Sequence, residues 1–352
     1  MRIATLSNAS AIHTRRWVEC FRGFGHEVEV WSLEDGPAAL GARRLPRAPL
    51  PGFLRYPLAV GALRRALEVY RPDLVDAHYV PNYGVMAALA GRHPFTITAW
   101  GSDLLVAGAR DPLQRARARF ALGRADLVLA DAENLARAAR ALGAPAARTW
   151  AIPWGVEPAR FSSLPPREPG LLFTSRMHEP LYDVPVVLEG AARVIERHPH
   201  ARLVVAGDGP ERARLERFAA ERLPGRVEFV GLLPPAGIAE WLGRAEVYLS
   251  ASRSDSTSIS LLEAMAAGAI PVVSDLEGNR EWVGERDGAR LFAVGDAADL
   301  SRVLDEALDD PAWREAARAR NRAVIAERGS WPRNMRRIEE HFLRLAASGS
   351  GR

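Results

Sequence analysis

Short apolar runs separated by stretches of helical spacing fill the chain. In the first part Ile3–Ser7, Glu27–Leu33, Leu74–His78, Phe95–Trp100, Leu127–Asp131 and Trp150–Pro153 read as strands. These runs are mostly continuous instead of strictly alternating with polar residues, which is the pattern of strands covered on both faces. Strand–helix alternation of this kind predicts a doubly wound α/β domain with a parallel sheet. The segment Phe161–Gly170 is rich in Pro, Ser and Gly, lacks any period and reads as a linker. The pattern then restarts, with strands expected at Leu171–Ser175, Arg202–Ala206, Val227–Val230, Val247–Ser250 and Pro271–Ser274. Helices follow near Ala297–Leu308, Ala312–Ala326 and Asn334–Leu345, and Ser348–Arg352 is expected to fray. This organisation predicts one domain over residues 1–162 and a second over 163–330, with a helix at 331–347 packing back on the first. Two such domains joined by a linker enclose a cleft, where ligands are expected at the carboxyl ends of strands.

Composition narrows the chemistry. The 352 residues include 47 cationic side chains, and every one is Arg, because the sequence holds no Lys. A P-loop lysine, a Schiff-base lysine and an ammonium general base are therefore excluded. Guanidinium is a planar, permanently charged oxyanion ligand and a poor proton shuttle. The single cysteine, Cys20, excludes an internal disulfide and a thiolate zinc cluster, and its place in an amphipathic helix predicts a buried structural thiol. No apolar stretch is long enough to span a bilayer. The opening Met1–Leu6 reads as a first strand rather than a signal peptide, so the expected compartment is the cytoplasm.

The most informative run is Ser252–Gly268, which follows the expected strand Val247–Ser250. Thr257 or Ser258 can cap the helix after it, whose free N–H groups form an anion site. Asp255 precedes that helix and Glu263 lies about one and a half turns inside it. Two such carboxylates suit sugar and ribose hydroxyls; a capping Asp and a surface Glu are the structural alternative.

This run, followed by Pro271–Asp275 and Gly278-Asn279-Arg280-Glu281, resembles the signature of family-four retaining glycosyltransferases of the GT-B fold. The likeness extends along the chain through Gly25–Val28, Arg71–His78, Trp100-Gly101-Ser102-Asp103, Ile152–Glu157 with Phe161, and Gly207-Asp208-Gly209-Pro210. It implies two Rossmann-like domains facing across a cleft, and transfer of a sugar from a nucleotide-diphosphate sugar to an acceptor hydroxyl. No metal and no cofactor beyond that co-substrate are implied. Asp255 would meet the transferred sugar, Glu263 the ribose, and Gly207, Gly209 and Gly231 the nucleotide turn. Arg176 would bind the pyrophosphate.

Several positions depart from the family pattern. The first acid of the pair is usually Glu and here is Asp255. The usual Lys five residues after the Arg is Leu181. A pyrophosphate needs more than one cationic or donor group, so Arg176 is expected to work with the amides of Ser258, Ile259 and Ser260 and with Tyr182 or Arg253. Asn8-Ala9-Ser10-Ala11 stands where relatives carry paired glycines. His13 opens the next helix, facing phosphates or acceptor, or else capping it. Trp100 replaces a frequent His as a stacking wall or as a core aromatic. Asp103 either touches the acceptor hydroxyl or caps a turn, and His78 reads as a satisfied strand-end residue. The catalytic set expected from these readings is Asp255, Asp103 and His13.

Arg43, Arg44, Arg47, Arg55, Arg64, Arg65 and Arg71, interleaved with Pro51-Gly52-Phe53-Leu54 and Tyr56, fit either peripheral contact with anionic lipid on the inner membrane face or a solvated basic face. Arg43, Arg44, Arg47, Arg64 and Arg65 carry the membrane expectation. A sugar-nucleotide epimerase is the alternative enzyme class. A nucleic-acid binder is disfavoured, because the cations are dispersed among 43 acids and no binding motif is present.

Overall fold

The computed structural model describes residues 1–349 except 48, 51, 108–110 and 285–286. The described residues form two sheets, each parallel throughout. The first has the order β3-β2-β1-β4-β5-β6-β7, built from Arg2–Leu6 (β1), Glu27–Ser32 (β2), Arg43–Arg44 (β3), Leu74–His78 (β4), Phe95–Thr98 (β5), Leu127–Ala130 (β6) and Thr149–Ala151 (β7). The second has the order β10-β9-β8-β11-β12-β13, from Glu168–Thr174 (β8), Arg202–Ala206 (β9), Val227–Gly231 (β10), Ala245–Ser250 (β11), Ile270–Ser274 (β12) and Arg290–Phe292 (β13). Each order reverses direction beside its first strand, between β1 and β4 in one sheet and between β8 and β11 in the other. Chains leaving the carboxyl ends of such neighbours diverge to opposite faces and open a crevice there.

The two-sided cover expected from the apolar runs is present in the second sheet. Leu172, Leu203, Val205, Val247, Leu249 and Val272 pack on one face, against helices Val184–Ile195 and Ala297–Asp309. Their neighbours Leu171, Phe173, Val204, Tyr248 and Val273 pack on the other, against the helix Ile259–Ala267. This is the alternation of side chains along a strand with both faces dry. In the first sheet Ala4, Leu6, Val75, Ala77, Ile97 and Val128 enter the core with helices Gly52–Tyr70, Pro112–Leu122 and Glu133–Ala141. Asp76 and His78 alternate with Val75 and Ala77 along β4.

The compact units are Met1–Pro153 with Met335–Arg352, and Trp154–Asn334. The expected boundary at residue 162 therefore moves back to Trp154. Val156 donates its N–H to Gly329, accepts from Trp331 N–H and is buried in the second core. A Cβ on Gly155, whose φ is 82°, would lie 2.3 Å from the Gly329 carbonyl oxygen, so this close approach requires glycine. The helix Trp331–Gly349 re-enters the first unit at Met335, where Phe342 stacks on Phe21 and Glu339 pairs with His26 at 2.8 Å.

Other expectations need correction. Glu168–Gly170, read as linker, already belongs to β8. The short edge strands β3 and β13 were not anticipated. Cys20 is half-buried, not fully buried. The helix at the chain's end runs to Gly349, and residues 350–352 of the expected frayed tail lie outside the described residues, as does Pro51 of the basic segment.

Candidate active site

The second unit concentrates its polar chemistry at the β8–β11 switch point. Arg176 follows β8, and the loop Ala251–Ser258 follows β11. Ser258 caps the helix Ile259–Ala267, its hydroxyl accepting from Leu261 N–H. The Arg176 guanidinium donates to the Ser258 hydroxyl at 2.9 Å, the Ser260 hydroxyl at 2.7 Å and the Asp255 carboxylate at 2.8 Å. It also lies 4.2 Å from the Tyr182 ring centre. Burial is the largest influence and lowers the Arg176 pKa, but Asp255 together with Tyr248 and Tyr182 outweighs it and raises the pKa on balance. Burial raises Tyr182, leaving it a neutral phenol. Arg176, Tyr182, Asp255, Ser258 and Ser260 therefore form one constellation, with Ile259 as the first helical residue beside it.

Glycines let backbone segments meet around this constellation. Gly207, with φ 120°, crosses so close to the turn after β8 that a Cβ would lie 2.4 Å from the Arg176 carbonyl oxygen. Gly207 donates its N–H to the Gly231 carbonyl at 2.8 Å, joining the turns after β9 and β10. Gly209 approaches the His178 carbonyl in the same way. The three expected turn glycines thus shape one ledge beside Arg176. Gly278 was noted only as part of a motif, yet a Cβ there would fall 1.8 Å from the Ser256 carbonyl oxygen. Trp282, on the same helix, donates its indole N–H to Thr257 at 3.3 Å.

Glu263 is on the same helix as Ser260 and receives Arg160 at 3.5 Å, a partner that no motif in the sequence singles out. Arg160 in turn pairs with Glu157 at 3.1 Å. His178 is buried with neither ring nitrogen hydrogen-bonded, and that burial lowers its pKa. Its edge faces Phe229.

The first unit gathers a second group at the ends of β1, β4 and β5. Trp100 meets His13 edge-on at 5.6 Å, His78 at 5.8 Å and Tyr79 at 6.3 Å between ring centres. The His13 imidazole is held down to about 4, first by burial and then by Arg16 and His78. It is therefore a neutral ring near pH 7. His78 is tied to Asp76 at 2.9 Å, and Asp76 also accepts from Thr96 at 2.9 Å and Thr98 at 3.1 Å. His78 is thus only half satisfied at the strand end, because its buried Nδ1 has no hydrogen-bond partner. Asp103 makes the contacts of the turn-capping alternative. It is fully buried and accepts the N–H groups of Val80 at 3.0 Å and Trp100 at 3.2 Å. Burial raises its pKa against these bonds. The carboxylate organises two loops and is turned away from solvent.

The family model described as glycosyl transferase 4-like domain matches residues 8–155, and that described as glycosyl transferases group 1 matches 168–310. The chain belongs to this family of glycosyltransferases. It is 29% identical to the phosphatidyl-myo-inositol mannosyltransferase of Mycolicibacterium smegmatis, over 88% of this chain and 83% of the relative. It is also 29% identical to the 2-deoxystreptamine glucosyltransferase of Streptomyces kanamyceticus, over 76% and 80%. Among solved structures, the sucrose-phosphate synthase of Thermosynechococcus elongatus superposes with a TM-score of 0.84 at 19% identity, covering 99% of this chain and all of that one. Anabaena HepE in complex with UDP superposes with a TM-score of 0.82 at 17% identity, over 98% and 100%. These likenesses establish the GT-B fold, and the sequence relatives establish sugar transfer from a nucleotide sugar as the chemistry of this glycosyltransferase.

Proposed function

We propose that this glycosyltransferase moves a hexosyl group from a nucleoside-diphosphate sugar to a ring hydroxyl of a cyclitol acceptor, with retention at the anomeric carbon. The carrying observation is the Arg176 guanidinium, anchored on Asp255, Ser258 and Ser260 at the start of a nine-residue helix. A fixed guanidinium beside free helix amides is suited to the charge that grows on a leaving diphosphate. Asp255 receives the transferred sugar, Glu263 the ribose, and the ledge of Gly207, Gly209 and Gly231 the nucleotide. The acceptor attacks from the face that the diphosphate vacates, and a phosphate oxygen takes the acceptor proton. Retention through a protein glycosyl ester would need two facing carboxylates roughly 5 Å apart. Asp255 is instead occupied by Arg176, and Glu263 is placed inside the helix. Charge neutralisation comes from guanidinium and amides, so the reaction proceeds without a divalent ion or further cofactor.

The acceptor class is supported by the relatives' names, since myo-inositol and 2-deoxystreptamine are both hydroxylated six-membered carbocycles. Peripheral membrane contact is the accompanying proposal. Leu54 and Leu58 are exposed one turn apart on the helix Gly52–Tyr70, which also carries exposed Arg65 and Arg64, the latter bonded to the Leu89 and Ala90 carbonyls; exposed Arg47 precedes it in the chain. Arg43 and Arg44 are paired with Glu29 at 2.6 Å and Asp35 at 3.0 Å and contribute less net charge. No helix among the described residues is long and apolar enough to cross a membrane.

The test incubates the protein with nucleoside-diphosphate hexoses and either myo-inositol, phosphatidylinositol vesicles or 2-deoxystreptamine, with and without EDTA. An EDTA-insensitive product keeping the donor's anomeric configuration by NMR is expected. An inverted product, or epimerised donor without transfer, overturns the reading.

A further inference from the structure

We propose that Arg253 is the second guanidinium of the donor phosphate site, and that Asp183 holds it back until a diphosphate arrives. The inference rests on the assignment of Arg176 and the helix start to the diphosphate.

The argument begins with charge. Arg176 is matched by Asp255, so its surroundings are close to neutral before donor binds. A diphosphate brings at least two negative charges into a partly desolvated site, and these require further positive charge. Arg253 lies in the same loop as Asp255. Its peptide N–H donates to the Leu181 carbonyl at 2.9 Å. This bond fixes Arg253 beside the turn carrying Tyr182, whose ring supports Arg176. Two guanidinium-bearing residues therefore flank one three-residue turn.

Their restraints differ. Three hydrogen bonds of 2.7–2.9 Å and the Tyr182 ring lock Arg176. The Arg253 side chain is 56% exposed and reaches the Asp183 carboxylate at 2.7 Å. That approach lacks hydrogen-bond direction, because the Asp183 oxygen is buried without a hydrogen-bond donor. Asp183 is itself unusual. It stands at the N-cap of Val184–Ile195 with φ 47°, and its side chain makes no capping hydrogen bond. A left-handed N-cap Asp that leaves its helix uncapped to face an exposed Arg is a poorly satisfied pair. Phosphate oxygens offer Arg253 properly directed bonds, which the Asp183 carboxylate does not.

Calorimetric titration with UDP and GDP, using whichever binds the parent chain, tests the latch through opposite signs. Arg253→Ala is expected to weaken binding about 10- to 100-fold, the value of a charged hydrogen bond. Asp183→Asn should tighten binding roughly three- to tenfold, because Arg253 no longer has to leave a charged partner. The double variant should bind like Arg253→Ala. Unchanged affinity in Arg253→Ala, or weakened affinity in an Asp183→Asn protein that melts like the parent, overturns the proposal. If Asp183→Asn does not fold, Arg253→Lys decides: affinity between those of the parent and Arg253→Ala supports a phosphate cation, and affinity equal to the parent in both variants overturns it. Arg176→Ala is the control for the underlying reading. Loss of binding there with none in Arg253→Ala refutes the latch alone, whereas no loss in Arg176→Ala refutes the diphosphate site itself.

Discussion

Replacing Arg176 by Ala should remove most donor affinity, and the structure allows the size to be worked out. One charge-assisted bond to a phosphate oxygen is worth about 1.5–3 kcal/mol. The substitution also strips Asp255 of the guanidinium at 2.8 Å. If the bared carboxylate stands roughly 6 Å from a bound diphosphate, the like charges repel by about 3 kcal/mol at an effective dielectric constant near 20. The sum is about 4–6 kcal/mol, at least three orders of magnitude in Kd. Calorimetry with a nucleoside diphosphate measures this directly, with a thermal melt to check that the variant is folded. Arg176→Ala/Asp255→Asn should recover tenfold or more, because the repulsion is gone. A folded Arg176→Ala protein binding within threefold of the parent would refute the argument, as would a double variant no better than the single one.

Glu263→Ala should weaken nucleoside diphosphate about tenfold while leaving inorganic pyrophosphate binding unchanged, since a ribose contact is lost and a phosphate contact is not; equal losses for both ligands would contradict its assignment. Asp103→Ala orphans the N–H groups of Val80 and Trp100 and should cost roughly 2–4 kcal/mol in urea unfolding, with donor KM unchanged. Unaltered stability with abolished turnover would instead return Asp103 to a catalytic role. The His13 imidazole titrates near 4 in the folded chain, so the unfolded chain, titrating near 6.5, takes up its proton first. Stability should fall between those limits as pH drops, by roughly 3 kcal/mol at most, with His178 adding in the same sense. His13→Asn should flatten that slope; parallel slopes would show that His13 is not its source.

The fold was legible wherever burial writes itself into apolar runs. Leu74–His78 and Arg202–Ala206 were bounded to the residue. Two of the four edge strands, Arg43–Arg44 and Arg290–Phe292, were missed because they are short and cation-bearing, whereas the edges β7 and β10 were anticipated. The acidic pair and Arg176 were legible as a motif, but their mutual contact was not. Residues 176 and 255 meet only because β8 and β11 are neighbours across the switch point. The choice between acceptor contact and turn-capping for Asp103 stayed open in the sequence because its partners are backbone N–H groups, which no side-chain pattern reports. Arg160 and Asp183 lie in segments of weak periodicity, and only the contacts of Glu263 and Arg253 single them out.

The stacking of Phe342 on Phe21 has a consequence for synthesis. The helix Ile12–Gly23 is among the first to be made, yet the surface it buries is completed by residues more than three hundred positions later. Val156 likewise awaits Gly329 and Trp331. During translation both units must persist as unsealed intermediates with Trp17 and Phe21 uncovered, a state open to aggregation and to chaperone capture. A ribosome stalled shortly before residue 335 should therefore hold a chain that is bound by chaperones and cut by proteases near its first helix, long after the β1–β7 sheet has been synthesised.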